Sequence, residues 1–128
     1  MNVPEPRFPC PCCGHRIFRQ SPDSYDICAV CFWEDDGVQL RWPYMAGGAN
    51  KVSLIGGQQN YASIGVSEER LLRFVRPPTL AEPLEEGWRP IDVDLDNFES
   101  GEMPVVPWPV DKTVLYWWRP TFWRLPRG

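Results

Sequence analysis

Two Cys-x-x-Cys pairs, Cys10/Cys13 and Cys28/Cys31, stand 14 residues apart. They constrain this chain more than any other feature. Two residues between cysteines let a tight turn point both sulfurs into one half of a tetrahedron, and the 14-residue return can supply the other half. The separation lies just below the spacing quoted for four-cysteine zinc sites. Gly14 follows the second thiol, where such a knuckle needs a positive φ. Between the pairs, His15–Arg19 and Tyr25–Ile27 read as strands and Ser21-Pro22-Asp23-Ser24 as their turn. The expected module is a zinc ribbon: knuckle, hairpin, knuckle. Four thiolates leave zinc no open position, so one structural Zn²⁺ is expected, with binding energy that serves folding. Iron in a rubredoxin-like tetrahedron is the competing metal. Cys12 is the fifth thiol and cannot join Cys10 and Cys13 without distorting the turn. It reads as a small, partly buried residue rather than a nucleophile. His15, the one histidine, reads as a surface residue or a support to the ligands, with no third group to orient a Cys12–His15 dyad.

A metal clasp suits the rest of the chain. Among 128 residues, 15 prolines and 10 glycines interrupt nearly every stretch, so short elements and extended segments are expected. Formal charge is -4, which disfavours a duplex nucleic-acid partner. The start of the chain has no apolar run resembling a signal peptide, and no stretch is long and apolar enough to span a membrane. Five cysteines in that context point to the reducing cytoplasm and to metal ligation rather than disulfides.

The chain divides into a zinc-ribbon module over residues 1–40, a short helical segment over 41–78, and an acidic, then tryptophan-rich section over 79–128, expected to pack on the same domain. Ser53 can cap a helix from Leu54, although Gly56 and Gly57 each cost it about 1 kcal/mol. Ser67-Glu68-Glu69-Arg70 reads as a capping box for a second helix. That helix would carry Leu71, Leu72 and Val75 on one face and Arg70, Arg73 and Arg76 on a solvated stripe, and end at Pro77-Pro78. Ile91–Asp96 alternates apolar and acidic residues and predicts a strand whose aspartates face water. Val114–Trp118, bulky on both faces, predicts a second, covered strand. The expected fold is therefore small α+β: a zinc ribbon, one or two short helices and a C-terminal antiparallel β extension.

Several motifs occur in order: Cys10-Pro11-Cys12-Cys13-Gly14, Cys28 to Gln39 (CAVCFWEDDGVQ), Gly47-Gly48-Ala49-Asn50 with Val52-Ser53-Leu54, and Arg73-Phe74-Val75-Arg76-Pro77-Pro78. Together they closely resemble the bacterial cysteine-rich CPCC family over residues 8–78. The resemblance implies a small zinc-ribbon-like protein and no particular activity.

The reading reached is a non-enzymatic, zinc-stabilised protein-binding module. Trp33, Glu34, Asp35 and Asp36 and the acidic stretch from Glu82 to Glu102 would suit a basic partner, as in an immunity or inhibitor protein. Trp117, Trp118 and Trp123 supply aromatic anchors. The alternative is a single-stranded nucleic-acid binder, because Trp117–Arg124 interleaves aromatics with arginine.

Overall fold

The computed structural model describes residues 7–99 and 106–123. Its one sheet has two antiparallel strands, β1 (Phe8–Pro9) and β2 (Arg16–Phe18), paired Phe8 to Phe18 and Pro9 to Arg16 across an irregularity. Two α-helices follow, α1 (Gly37–Arg41) and α2 (Leu54–Ile64), then 3₁₀ helices over Glu69–Phe74 and Lys112–Leu115.

The sheet differs from the expected hairpin. The strand at 15–19 does not pair with 25–27. It folds back on Phe8–Pro9 around the first cysteine knuckle, while Ile27 bridges to Glu34 around the second. Each knuckle thus closes its own arms. His15 bridges instead to Leu84.

The tail of the CPCC-like motif is explained by a buried polar lattice. Asp36 caps α1 by accepting from Val38 N (2.8 Å) and also accepts from Ala49 N (2.9 Å). Gln39, fully buried, accepts from Asn50 N (3.0 Å) and Asn50 Nδ2 (2.9 Å), and its amide donates to Met45 O and Val52 O (both 3.0 Å). Asn50 donates to Glu34 O (2.8 Å) and accepts from Glu34 N (2.9 Å). The loop over residues 43–52 is therefore held by side chains that satisfy its backbone, as buried polar groups require.

Helix α2 begins where Ser53 predicts, with its side chain accepting from Gly56 N (3.0 Å). It runs eleven residues despite its glycines. A Cβ on Gly57 would stand 3.2 Å from Cys12 Sγ and 3.2 Å from the Trp33 ring, so the glycine lets the helix lie directly on the first knuckle. Gln58 ties that contact at both ends, donating to Pro11 O (3.0 Å) and accepting from Ile91 N (2.9 Å).

The second helix is a 3₁₀ segment, and Ser67 does not cap it. Arg70 stands where a capping box needs a Glu or Gln, so the reciprocal bond has no acceptor. Ser67 is buried instead, its N–H bonded to Cys31 O (2.8 Å). Leu71 is buried, whereas Leu72 is exposed.

Neither C-terminal strand forms among the described residues. In Ile91–Asp96 the alternation is lost: Asp92, Val93, Asp94 and Leu95 are all exposed, while Asp96 is buried, accepting two bonds from Arg89 (2.7 and 2.8 Å) and one from Asp92 N (2.7 Å). The segment is a turn closed by Asp96 N to Asp92 O (2.8 Å). At 112–115 Asp111 caps a 3₁₀ turn, and Leu115, Tyr116 and Trp117 at its end are buried consecutively.

These last residues complete the core. Phe98, Leu115, Tyr116, Trp117 and Phe122 belong to one cluster with the cysteines, Phe18, Val30, Trp33, Leu40 and Leu54. Arg41, at the end of α1, clamps them in place. It is fully buried, bidentate to Glu99 (2.9 and 2.8 Å), donates to Val106 O (2.8 Å), and has Trp42, Trp108 and Trp123 rings within 4.9 Å of its guanidinium carbon.

Two substitutions test this packing. Gly57→Ala should lower stability by about 1–3 kcal/mol despite its better helix propensity, because neither Cys12 nor Trp33 can yield; a raised Tm would count against the close approach. Arg41→Ala should cost about 3–5 kcal/mol in denaturant unfolding, because it removes a buried bidentate ion pair together with three ring contacts.

Candidate metal centre

The two knuckles are near copies. In the first, Cys10 N donates to His15 O (2.8 Å) and Gly14 N to Cys10 O (2.7 Å). In the second, Cys28 N donates to Trp33 O (2.9 Å) and Phe32 N to Cys28 O (2.7 Å). The residue after each second cysteine is left-handed: Gly14 at φ 82° and Phe32 at φ 68°. Gly14 has a further reason to lack a side chain, because a Cβ there would run into Trp88 and Leu84.

The knuckles face each other and bring Cys10, Cys13, Cys28 and Cys31 together with all four sulfurs within 4.8 Å of one another. The closest pairs run between knuckles, Cys10 to Cys31 at 3.6 Å and Cys13 to Cys28 at 3.8 Å. All four are buried free thiols. Such a group could hold one metal ion.

Electrostatics give the same picture. Burial pushes the Cys10 and Cys31 thiols well above their ordinary value, with further raising from neighbouring thiols. Cys28 is also raised by burial, but bonds from Cys10, Cys13 and Cys31 outweigh this and hold it well below. Four thiolates at this spacing require a cation to offset their mutual repulsion and desolvation.

Cys12 lies outside the four-thiol group and is itself fully buried, more so than expected, beneath α2 at Gly57. Burial raises its thiol as well, partly offset by Cys31. His15 is partly buried, with Nδ1 bonded to Glu82 O (2.8 Å), which accepts and so fixes Nδ1 as the protonated nitrogen.

The residues expected to meet a partner are mostly interior. Trp33 is fully buried under α2, and Asp35 and Asp36 are buried. Asp35 accepts from Ser24 Oγ (2.6 Å) and Ser24 N (3.2 Å), while Asp36 caps α1. Glu34 is partly buried, with both backbone groups bonded to Asn50. Trp117 is buried and donates to Arg89 O (3.1 Å). Trp118 is partly buried, its ring N–H on Glu85, and Trp123 stacks on Arg41. Glu102 and Arg124 lie outside the described residues. These side chains were selected by type, and type does not distinguish a docking tryptophan from a core one. Arg41, Gln39, Asn50 and Gln58 were missed as organisers, because mid-helix or loop polar residues give no sequence sign of burial.

Asp35 yields a pH prediction. Burial, partly offset by Ser24, raises its carboxyl from 3.8 to about 6. A raised carboxyl favours the folded state below its unfolded value, and that contribution is lost as pH rises through about 6. In metal-replete buffer, Asp35→Asn should therefore gain on the wild type between pH 4 and 6, by at most about 3 kcal/mol, and level off above. Urea unfolding of both proteins at each pH measures it; a constant difference would contradict it.

None of the described helices is long and apolar enough to cross a membrane. Comparison with curated proteins finds no match. The family model described as "Cysteine-rich CPCC" matches residues 8–82, from β1 through the 3₁₀ helix to Glu82, more than half of the chain. The four thiols, the capped α1 and the loop it anchors all fall within those bounds, and the chain belongs to the cysteine-rich CPCC family.

Proposed function

We propose that this is a non-enzymatic protein-binding module whose fold is held by one structural zinc ion. The observation that carries the zinc half is the sulfur geometry. A tetrahedral ion with metal–sulfur bonds of about 2.3 Å needs sulfurs about 3.8 Å apart. The two closest pairs stand at 3.6 and 3.8 Å. Cys10, Cys13, Cys28 and Cys31 would each supply a thiolate, and the ion would supply charge compensation and a cross-link between knuckles. All four positions are filled from the protein, which supports a structural rather than catalytic role.

The partner half draws support from exposed apolar surface beside the centre. A basic partner, as in an immunity-type inhibitor, has less to recommend it, because Asp35 and Asp36 are interior. The single-stranded nucleic-acid reading loses its support in the same way. Trp117 is buried, and Arg119 is committed to Glu85 (3.0 Å from Nε).

Purified protein should contain one zinc per chain by elemental analysis, be colourless, and lose its native circular dichroism on strong chelation or in Cys28→Ser. A native spectrum after stoichiometric metal removal would refute the structural role. A red protein with iron in place of zinc would establish the rubredoxin-like alternative.

A further inference from the structure

The second knuckle carries a feature that the first does without. Phe32 occupies the left-handed position that Gly14 fills in the first knuckle, at φ 68° against 82°. A left-handed non-glycine residue is strained, and such strain persists where something else depends on the side chain. The ring does not go into the core. It is partly exposed and packs on Phe74, centroids 5.5 Å apart, and Phe74 is itself 52% exposed. The phenyl pair therefore lies at the surface of the second knuckle, with Phe74 as its more open member.

The surroundings extend the patch. Leu72 is 50% exposed on the same 3₁₀ helix, and Ile27 is 49% exposed on the knuckle arm. Arg76 N bonds to Ala29 O (3.1 Å), which fastens the two segments side by side. Between this knuckle and β2 lies a cleft of about 350 Å³, with Ile17, Arg19, Ile27, Ala29 and Arg76 in its wall.

Charge on this face opposes that of the chain. Arg19, Arg70, Arg73 and Arg76 are all exposed. Arg73 lies over the Phe74 ring at 4.7 Å. The carboxylates paired with Arg70 and Arg76, Glu68 and Glu82, are buried beneath them, so guanidinium forms the outer layer. Among the described residues, Glu69, exposed, and Asp26 and Glu34, both partly buried, oppose it. The chain as a whole carries -4.

We propose that Phe32, Leu72, Phe74 and Ile27, ringed by these arginines, form a docking face for an acidic protein segment carrying apolar anchors. Charge complementarity selects the acidic segment, since arginine pairs with carboxylates bidentately while its plane rests on aromatic rings. Aliphatic Ile27 and Leu72 favour side-chain anchors over stacked bases. The proposal rests on the protein-binding reading and names its site.

Random peptides displayed on phage and selected on the metal-loaded protein provide the test. The expected peptides combine Asp or Glu with large apolar residues. Phe74→Ser and Arg73→Glu should each weaken their affinity about tenfold or more, with metal content and circular dichroism unchanged. Phe32→Gly should weaken binding with metal content unchanged. Enrichment of basic peptides overturns the proposal. So does a single-stranded oligonucleotide or a second copy of the chain occupying this face in a Phe74-dependent way. Binding lost in Val93→Glu, beside α2, but kept in Phe74→Ser removes this face while leaving the protein-binding reading standing. No selectable peptide removes both.

Discussion

Four buried thiols within 4.8 Å of one another are a charge problem before they are a structure. Burial pushes the Cys10 and Cys31 thiols well above their ordinary value, while the neighbouring thiols hold Cys28 well below it. With a cation, each thiolate becomes an anchor, and two knuckles separated by 14 residues of turn become one body. Helix α2 lies against the first knuckle at Gly57, and the 3₁₀ segment is tied to the second through Ser67 and Cys31 O. A chain so rich in proline and short of regular structure has little else from which to build a nucleus.

Around this centre, buried polar side chains take the place of long helices and sheets. Asp36, Gln39 and Asn50 satisfy the backbone of the loop after α1. Gln58 joins the first knuckle to Ile91, and Arg41 collects three tryptophans and Glu99. Such groups are costly when unpaired and directional when paired, so they set a unique arrangement where apolar contact alone would allow several. The functional consequence is that seven of the fifteen described acids and three of the seven tryptophans are buried, out of reach of a partner.

What was legible depended on how local the physics is. Ser53 capping α2 is decided within four residues, and it was read correctly. Ile91–Asp96 was misread because alternation assumes that water receives the aspartates, whereas Arg89 receives Asp96. The central hairpin was misread because two strand-like segments do not declare their partners. The glycine penalties in α2 were real locally, and Gly57 reverses in meaning once Cys12 and Trp33 stand beside it.

By itself, the sequence determined which four cysteines could share a metal ion, the place of Cys12 outside that group and the family resemblance. Tetrahedral sulfur ligation imposes a short-range spacing that few other uses of cysteine share. Tertiary structure alone decided which strands pair, which acids and tryptophans are interior, and which face remains open. Those outcomes turn on contacts between residues distant in the chain, such as Arg41 with Glu99 and Gln58 with Ile91. Their free energy exists only once folding has brought the segments together.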